Sequence, residues 1–490
     1  MQNREEAPAP AFSRVPIRQR VVYDFRMAGL RIFLVAVFTL VLLLTARLSA
    51  QNPAPSPPLG WNSWDAYGLT INEADYRANA MVLAGLRQFG WEYAVIDEGW
   101  YMDDPFAKTL ETRKYLWDAN GILIPVVSRF PSSAGGAGFK PLADWVHSKG
   151  LKFGIHIVRG IPRQVVKANL PIAGSTFHAA DVADMDSPCP WDDGNWGVKD
   201  NAAGQAYYDS MLKKYASWGL DYIKVDCISD HPYRPTEIAQ IALAIRKAGR
   251  PIVLSLSPGP TSLENAAEVA KQAQMWRISD DHWDVWTAEH KPGAGEFPFG
   301  TRDAFDRLAK WVAYVGPGSW PDEDMLPFGY LGPHPGWGEA RQSRLTPDEE
   351  RTEFTLWAVA RSPLIIGANL TKLDAYTRSL LTNQTVLFID QASTFSLPLE
   401  AASLPAGFEN ARVWRATINA PGARGYAEYF AFFNLDSKPV TLRATWKELG
   451  LDNGKHAVED AFTMEASKVS KDVTVTLPAH GSTVVEVQLQ

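Results

Sequence analysis

Strand-like and helix-like segments alternate from Gly60 onward and predict a (β/α)8 barrel. Near residue 395 the pattern changes to period-two alternation, which predicts a small antiparallel β-sandwich after the barrel. A third observation agrees with the barrel: several of the strand-like segments end on carboxylates, where such barrels place their chemistry. With 490 residues the chain is long enough for both units. An open doubly wound sheet is the rival architecture, but no glycine-rich phosphate loop follows the first strand.

The first 50 residues are set aside as an N-terminal extension and signal peptide. Residues 33–45 form a continuous apolar run, too short for a comfortable membrane span, and ARLSAQN follows with Ala50 as the last residue before cleavage. Met27 opens a more typical signal than Met1 does, so either the chain starts there or the first 26 residues are an extension. An uncleaved signal anchor is the alternative. Cleavage near Ala50 predicts a periplasmic or extracellular protein with no stable membrane span. Residues 51–58, containing PAPSPP, read as an extended linker.

The barrel is expected over residues 59–394, with strands at 60–64, 93–100, 151–158, 222–227, 252–257, 275–281, 318–325 and 363–368. A helix over 72–90 starts on a capping Asn72 with an acidic first turn and stops at Gly90. A second over 345–360 has Thr346 as N-cap, Pro347 in the first helical position and Glu349 to close a capping box. The sandwich is expected over 395–490, in the runs GYAEYFAFFNLD, PVTLRATW, HAVEDAFT, DVTVTLPAH and TVVEVQLQ.

The net charge of −7 and the lack of a long basic run exclude nucleic acid as a partner. Trp is abundant, with 18 copies, and indole faces stack well on the apolar faces of sugars, although most Trp residues are core. Nothing in the sequence specifies an oligomer. The two cysteines, Cys189 and Cys227, are free to bridge in an exported protein, and Cys227 directly follows Asp226. The alternative is two buried thiols. No spacing resembles a zinc site.

The segment GLDYIKVDC, residues 219–227, is the most informative. It is a short β-type run that ends on Lys224 and Asp226, two residues apart and so on one side of a strand. The Lys can hold the Asp ionised as a nucleophile; a structural ion pair is the competing account. In the barrel, the strand ends bring Trp61, Trp64, Asp97, Glu98, His156, Lys224, Asp226, Ser257, Arg277, Asp280, Asp281 and Asp322 to Asp324 to one pocket. This set is acidic, aromatic and without a serine triad or thiol base pair. Paired carboxylates with Trp are what glycoside hydrolysis needs.

The motifs PPLGWNSWDAYG, VIDEGW, YIKVDC, WRISDDHWDVW and GPGSWPDEDM, in that order, resemble those of the melibiase family, glycoside hydrolase family 27. The resemblance covers residues 56–490 and implies a retaining α-galactosidase-type exo-glycosidase with a barrel and a terminal β-sandwich. It implies Asp226 as nucleophile and Asp281, four residues after Arg277, as acid/base, with Asp280 as the adjacent competitor. It also implies Trp61 as a wall of the pocket, and Asp97, Lys224, Arg277 and Asp324 on the sugar. It requires no metal or organic cofactor, and the partner it implies is a carbohydrate.

Three recognition positions depart from the α-galactosidase pattern. Glu98 stands where the family pair has a second Asp, and in this family a Glu there resembles the β-L-arabinopyranosidases. Ser257 stands where a Glu is placed near the 2-hydroxyl, which resembles the N-acetylgalactosaminidases, and His156 replaces a Tyr. Terminal α-D-galactosyl units are the first expectation. β-L-Arabinopyranosides, α-N-acetylgalactosaminides and α-glucans are the alternatives, and a non-catalytic carbohydrate-binding protein is a remote one.

Overall fold

The computed structural model describes residues 52–490 apart from 108, 110, 111, 288–296, 420–425, 453, 466–468, 489 and 490. The extension, the apolar run at 33–45 and Ala50 therefore lie outside the described residues. Among those described, no helix is long and apolar enough to cross a membrane.

Eight parallel strands form one curled sheet: β1 Leu59–Asn62, β2 Tyr93–Ile96, β3 Lys152–Val158, β4 Tyr222–Asp226, β5 Val253–Leu256, β6 Met275–Arg277, β7 Trp320–Asp322 and β8 Leu364–Ile366. Their order is β7-β6-β5-β4-β3-β2-β1-β8. The seam between β7 and β8 closes through a parallel bridge from Leu326 to Ile366. All eight expected strands are present; seven stop short of their expected C-terminal ends, where residues leave the ladder for loops, and β3 runs to Val158 as expected.

Helices α1 Glu73–Leu86, α2 Lys140–Ser148, α3 Ala202–Trp218, α4 Pro235–Ala248, α5 Ala266–Gln272, α6 Thr301–Trp311 and α7 Pro347–Ala360 follow β1 to β7, and α8 Ala375–Leu381 and α9 Gln384–Ala392 follow β8. The caps read from sequence are formed. Asn72 accepts from the Asp75 N–H at 3.0 Å. Thr346 and Glu349 close the capping box, with Thr346 N–H on Glu349 Oε2 at 2.8 Å.

Alternation along the strands separates two cores. Outward residues such as Trp61, Ala94, Ile96, Ile223 and Val225 pack against the helices. Inward residues change character along the barrel. At the N-terminal end Tyr93, Tyr222, Val253, Met275, Trp320 and Ile365 form an apolar plug. At the C-terminal end the inward positions become Asp97, His156, Lys224, Asp226 and Arg277. The floor of the barrel is thus dry and its top ionic.

The expected free linker is corrected here. Residues 53–58 close the apolar end of the barrel: the Ala54 carbonyl accepts from Trp320 Nε1 and from the Gly318 N–H, both at 2.9 Å. Pro57 accepts from Gln391 and Pro58 from the Leu364 N–H. Buried donors at the strand starts need acceptors, and this extended segment supplies them.

After the barrel come β9 Phe395–Pro398, β10 Ala411–Asn419, β11 Tyr426–Asn434, β12 Val440–Thr445, β13 Ala457–Asp460, β14 Asp472–Leu477 and β15 Ser482–Gln488. They form an antiparallel five-stranded sheet, β9-β10-β11-β15-β13, and a two-stranded sheet, β12-β14. A core including Val413, Phe430, Phe432, Trp446 and Val487 lies in this unit. β9 and β10 were absent from the sequence reading; β10 buries Ala411 and Val413 in the sandwich core and Trp414, Ala416 and Ile418 in the larger core, so it lacks a single apolar face. The unit packs on α7: Thr352 Oγ1 donates to the His480 carbonyl at 2.6 Å, and His480 Nδ1 meets Glu349 Oε1 at 2.7 Å.

Candidate active site

A cavity of about 370 Å³ opens at the ionic end of the barrel, lined by Trp64, Asp97, Glu98, Trp191, Lys224, Asp226, His231, Pro258, Asp280, Asp281, Phe297 and Met325. Seven residues singled out from sequence therefore share one cavity: Trp64, Asp97, Glu98, Lys224, Asp226, Asp280 and Asp281.

Strand register sets their pairing. His156 on β3 sits opposite Lys224 on β4, and Val158 opposite Asp226. His156 is fully buried, and its Nε2 lies 3.1 Å from Asp226 Oδ2. The other carboxylate oxygen, Oδ1, accepts from the Cys227 N–H at 2.6 Å. Burial pushes the Asp226 carboxyl up, but the hydrogen bond and charge of His156, then Lys224 and the Cys227 N–H, outweigh it. The carboxyl is held below its usual range and ionised at neutral pH. His156 is raised in turn: burial lowers it, while Asp97 and Asp226 raise it by more.

Lys224 was expected to hold Asp226. Its nearest carboxylate is instead Asp97, with Nζ 3.0 Å from Oδ2. The same oxygen accepts from Asn62 Nδ2 at 2.7 Å, and the Asp97 N–H is capped by Ser63 Oγ at 3.0 Å. Burial raises Asp97, but Lys224, His156, the Glu98 N–H and Asn62 bring it well below the carboxylate range.

Glu98 has no such set of donors. Burial, with the charges of Asp192, Asp226 and Asp97 and against the opposing pull of His156, pushes its carboxyl up to about 8.

On the facing strands, Arg277 holds two carboxylates. Its guanidinium lies 2.7 Å from Asp324 Oδ1 and 3.3 Å from Asp281 Oδ1. Asp324 Oδ2 accepts from the His282 N–H at 2.8 Å, so Asp324 braces the turn that carries Asp281. Burial raises Asp324 to about 7 despite Arg277, with Asp281 and Asp322 adding to the rise. The Asp281 side chain is 37% exposed, against 19% for Asp226, so Asp281 faces the mouth and Asp226 the interior. Asp280 lines the cavity as well, and its own Oδ1 accepts from the Asp281 N–H at 2.8 Å.

Trp61 is a correction. It is fully buried, donates from Nε1 to the Ala368 carbonyl at 2.8 Å and packs on Tyr76 at 5.9 Å between ring centroids. It does not line the cavity. Trp61 falls on the outward side of β1 beside Ala94, while Asn62 turns inward to Asp97. The indole of this segment that lines the cavity is Trp64, held through its backbone N–H on Asn62 Oδ1 at 2.8 Å. Asn62 was missed, yet the same alternation that places Asp97 inward places Asn62 inward.

Ser257 is buried behind the wall, which Pro258 forms at that point. His156, Arg277 and Asp324 likewise act from behind the lining residues. Cys189 and Cys227 form a disulfide with Cα atoms 6.0 Å apart. It ties the loop after β3 to the loop after β4, beside Asp226. Trp191, His231, Phe297 and Met325 were also missed; they stand on loops, where strand periodicity carries no signal.

A family model described as Alpha galactosidase A matches residues 191–392, and one described as Alpha galactosidase C-terminal beta sandwich domain matches residues 410–487. Alpha-galactosidase A of Cellvibrio japonicus is 32% identical over 358 residues, covering 71% of this chain and 72% of that protein. The fold is similar to that of a GH27 β-L-arabinopyranosidase from Geobacillus stearothermophilus, with TM-score 0.80 and 39% identity over 89% of this chain and 97% of that one. A variant of that enzyme in complex with arabinose gives TM-score 0.81 and 40% identity, covering 89% of this chain and 98% of that one.

Proposed function

The chain belongs to glycoside hydrolase family 27, and on that premise we propose that it is an exported, exo-acting retaining enzyme that releases terminal β-L-arabinopyranosyl units. The chemistry rests on one observation: Asp226 and Asp281 line the same cavity, one ionised and interior, the other at the mouth. The Asp226 carboxylate attacks the anomeric carbon as the glycosidic C–O bond breaks, and Asp281 gives its proton to the leaving oxygen. Water then attacks the same carbon, Asp281 takes its proton, and the bond to Asp226 breaks. Lys224 and Asp97 bind sugar hydroxyls as a fixed ion pair. Arg277 and Asp324 hold Asp281 in place. Export is supported by the apolar run at 33–45 and by a disulfide, which persists in oxidising compartments.

Glu98 carries the choice of sugar. Its carboxyl is one methylene longer than an Asp and stands in the cavity, in the room that a C6 hydroxymethyl group would take. L-Arabinopyranose is galactose without that group. Such a difference is worth about 1–3 kcal/mol, so α-D-galactosides should be turned over more slowly rather than refused. α-D-Galactoside as the preferred substrate is the second reading, favoured by the curated relative's own activity.

The test is kcat/KM on four nitrophenyl glycosides: β-L-arabinopyranoside, α-D-galactoside, α-N-acetylgalactosaminide and α-D-glucoside. The arabinopyranoside should lead, and Glu98→Asp should move the preference toward galactoside by roughly ten-fold. Asp226→Asn should cost at least about 10³-fold on every substrate. A wild type that prefers galactoside, with Glu98→Asp neutral, favours the second reading. Substantial turnover by a clean Asp226→Asn preparation removes the nucleophile assignment.

A further inference from the structure

We propose that Trp191 and His231 form a stacking platform for the leaving-group ring, a subsite at the mouth of the sugar cavity that selects glycosides whose leaving group is itself a pyranose. The proposal rests on the glycosidase reading above. Trp191 is 47% exposed, yet it lines the cavity that holds Asp226 and Asp281. A large exposed indole at the mouth of such a cavity is an apolar face waiting for a ligand. The His231 ring meets it edge-on, with centroids 5.6 Å apart and planes at 88°. The contact restrains the indole while nearly half of the residue stays exposed.

Both rings are anchored at the reaction centre. Trp191 is two residues from Cys189, His231 is four residues from Cys227, and the disulfide joins the two loops. Cys227 is adjacent to Asp226, so the platform cannot drift far from the nucleophile. His231 Nδ1 also lies 2.9 Å from Asp230 Oδ2, which restrains the ring. The direction of exit agrees. In an exo-acting enzyme the terminal sugar fills the closed end, and the leaving oxygen lies by Asp281, which faces the mouth. The next ring must pass the rim, where Trp191 offers the larger exposed aromatic face and Phe297 the smaller one at 38% exposure.

The test compares two substrates with the glycone that the wild type prefers: the methyl glycoside, which has no leaving-group ring, and a disaccharide. Full-length wild type, Trp191→Ala and Trp191→Phe are assayed, and the free monosaccharide is measured as a competitive inhibitor. Trp191→Ala should lose roughly ten-fold more kcat/KM on the disaccharide than on the methyl glycoside. The monosaccharide inhibition constant should not move, and Trp191→Phe should recover most of the loss. Equal losses on both substrates, or none on either, overturn the platform. A wild type that turns over none of the glycosides overturns the functional reading and the platform with it.

Discussion

Removing the His156 side chain should move the acid limb of the pH–rate profile upward. His156 is fully buried and its Nε2 lies 3.1 Å from Asp226 Oδ2. It is the first of the groups that hold the Asp226 carboxyl below its usual range against burial. Asp226 must be ionised to attack, so kcat/KM falls as pH drops through its pKa. A hydrogen bond to a charged group is worth about 1.5–3 kcal/mol, so losing it should raise the Asp226 carboxyl. His156→Ala should therefore shift the acid limb up. His156→Gln, which keeps an N–H donor without the charge, should shift it less. Linkage has the same sign: a lowered carboxyl contributes stability that is present above its unfolded pKa and lost as pH falls through the folded one. His156→Ala should thus lose stability at neutral pH and converge with the wild type in acid. The assay is kcat/KM against pH on the preferred nitrophenyl glycoside, with urea denaturation at matching pH. An acid limb that stays put, or moves down, refutes the role assigned to His156.

Trp61→Ala should destabilise by about 3–5 kcal/mol in thermal denaturation while the folded fraction keeps its KM; Trp64→Ala should do the reverse, raising KM with little change in stability. Replacing Cys189 and Cys227 together by Ser should cost up to about 4 kcal/mol through the freed unfolded chain, given a sequence separation of 38. Denaturant titration measures that loss, and a stability equal to wild type would show that the bridge does not restrain the unfolded state.

The barrel was legible because strand-like and helix-like segments alternate, because several strands end where an apolar run meets a charged residue, and because caps such as Asn72 and Thr346 are local chemistry. Asp97 and Asp226 were legible for the same reason: period two at a strand end fixes their side before any packing is known, whereas Glu98 and Asp281 lie past the strand ends and were read from the motifs. Trp61 shows where this reading slipped. A motif match assigned it to the pocket, whereas alternation from Asp97 across the β1–β2 register sends it outward and Asn62 inward. The segment at 53–58 slipped differently: its Pro and Ser suggested a spacer, but buried donors at the strand starts needed its carbonyls.

The sequence by itself determined the barrel, the sandwich and the carboxylates at the strand ends, because periodicity and local propensity are properties of neighbouring residues. Only the tertiary structure decided which charge meets which. Lys224 pairs with Asp97 and His156 with Asp226 because the β3–β4 register and the curl of the barrel set residues tens of positions apart within hydrogen-bond reach. The same closure leaves Glu98 without a matching donor and lifts it to about 8, and it brings Trp191 and His231 together over the mouth through the disulfide. Electrostatic pairing depends on separation in space, and for this site that separation exists only once the sheet has closed.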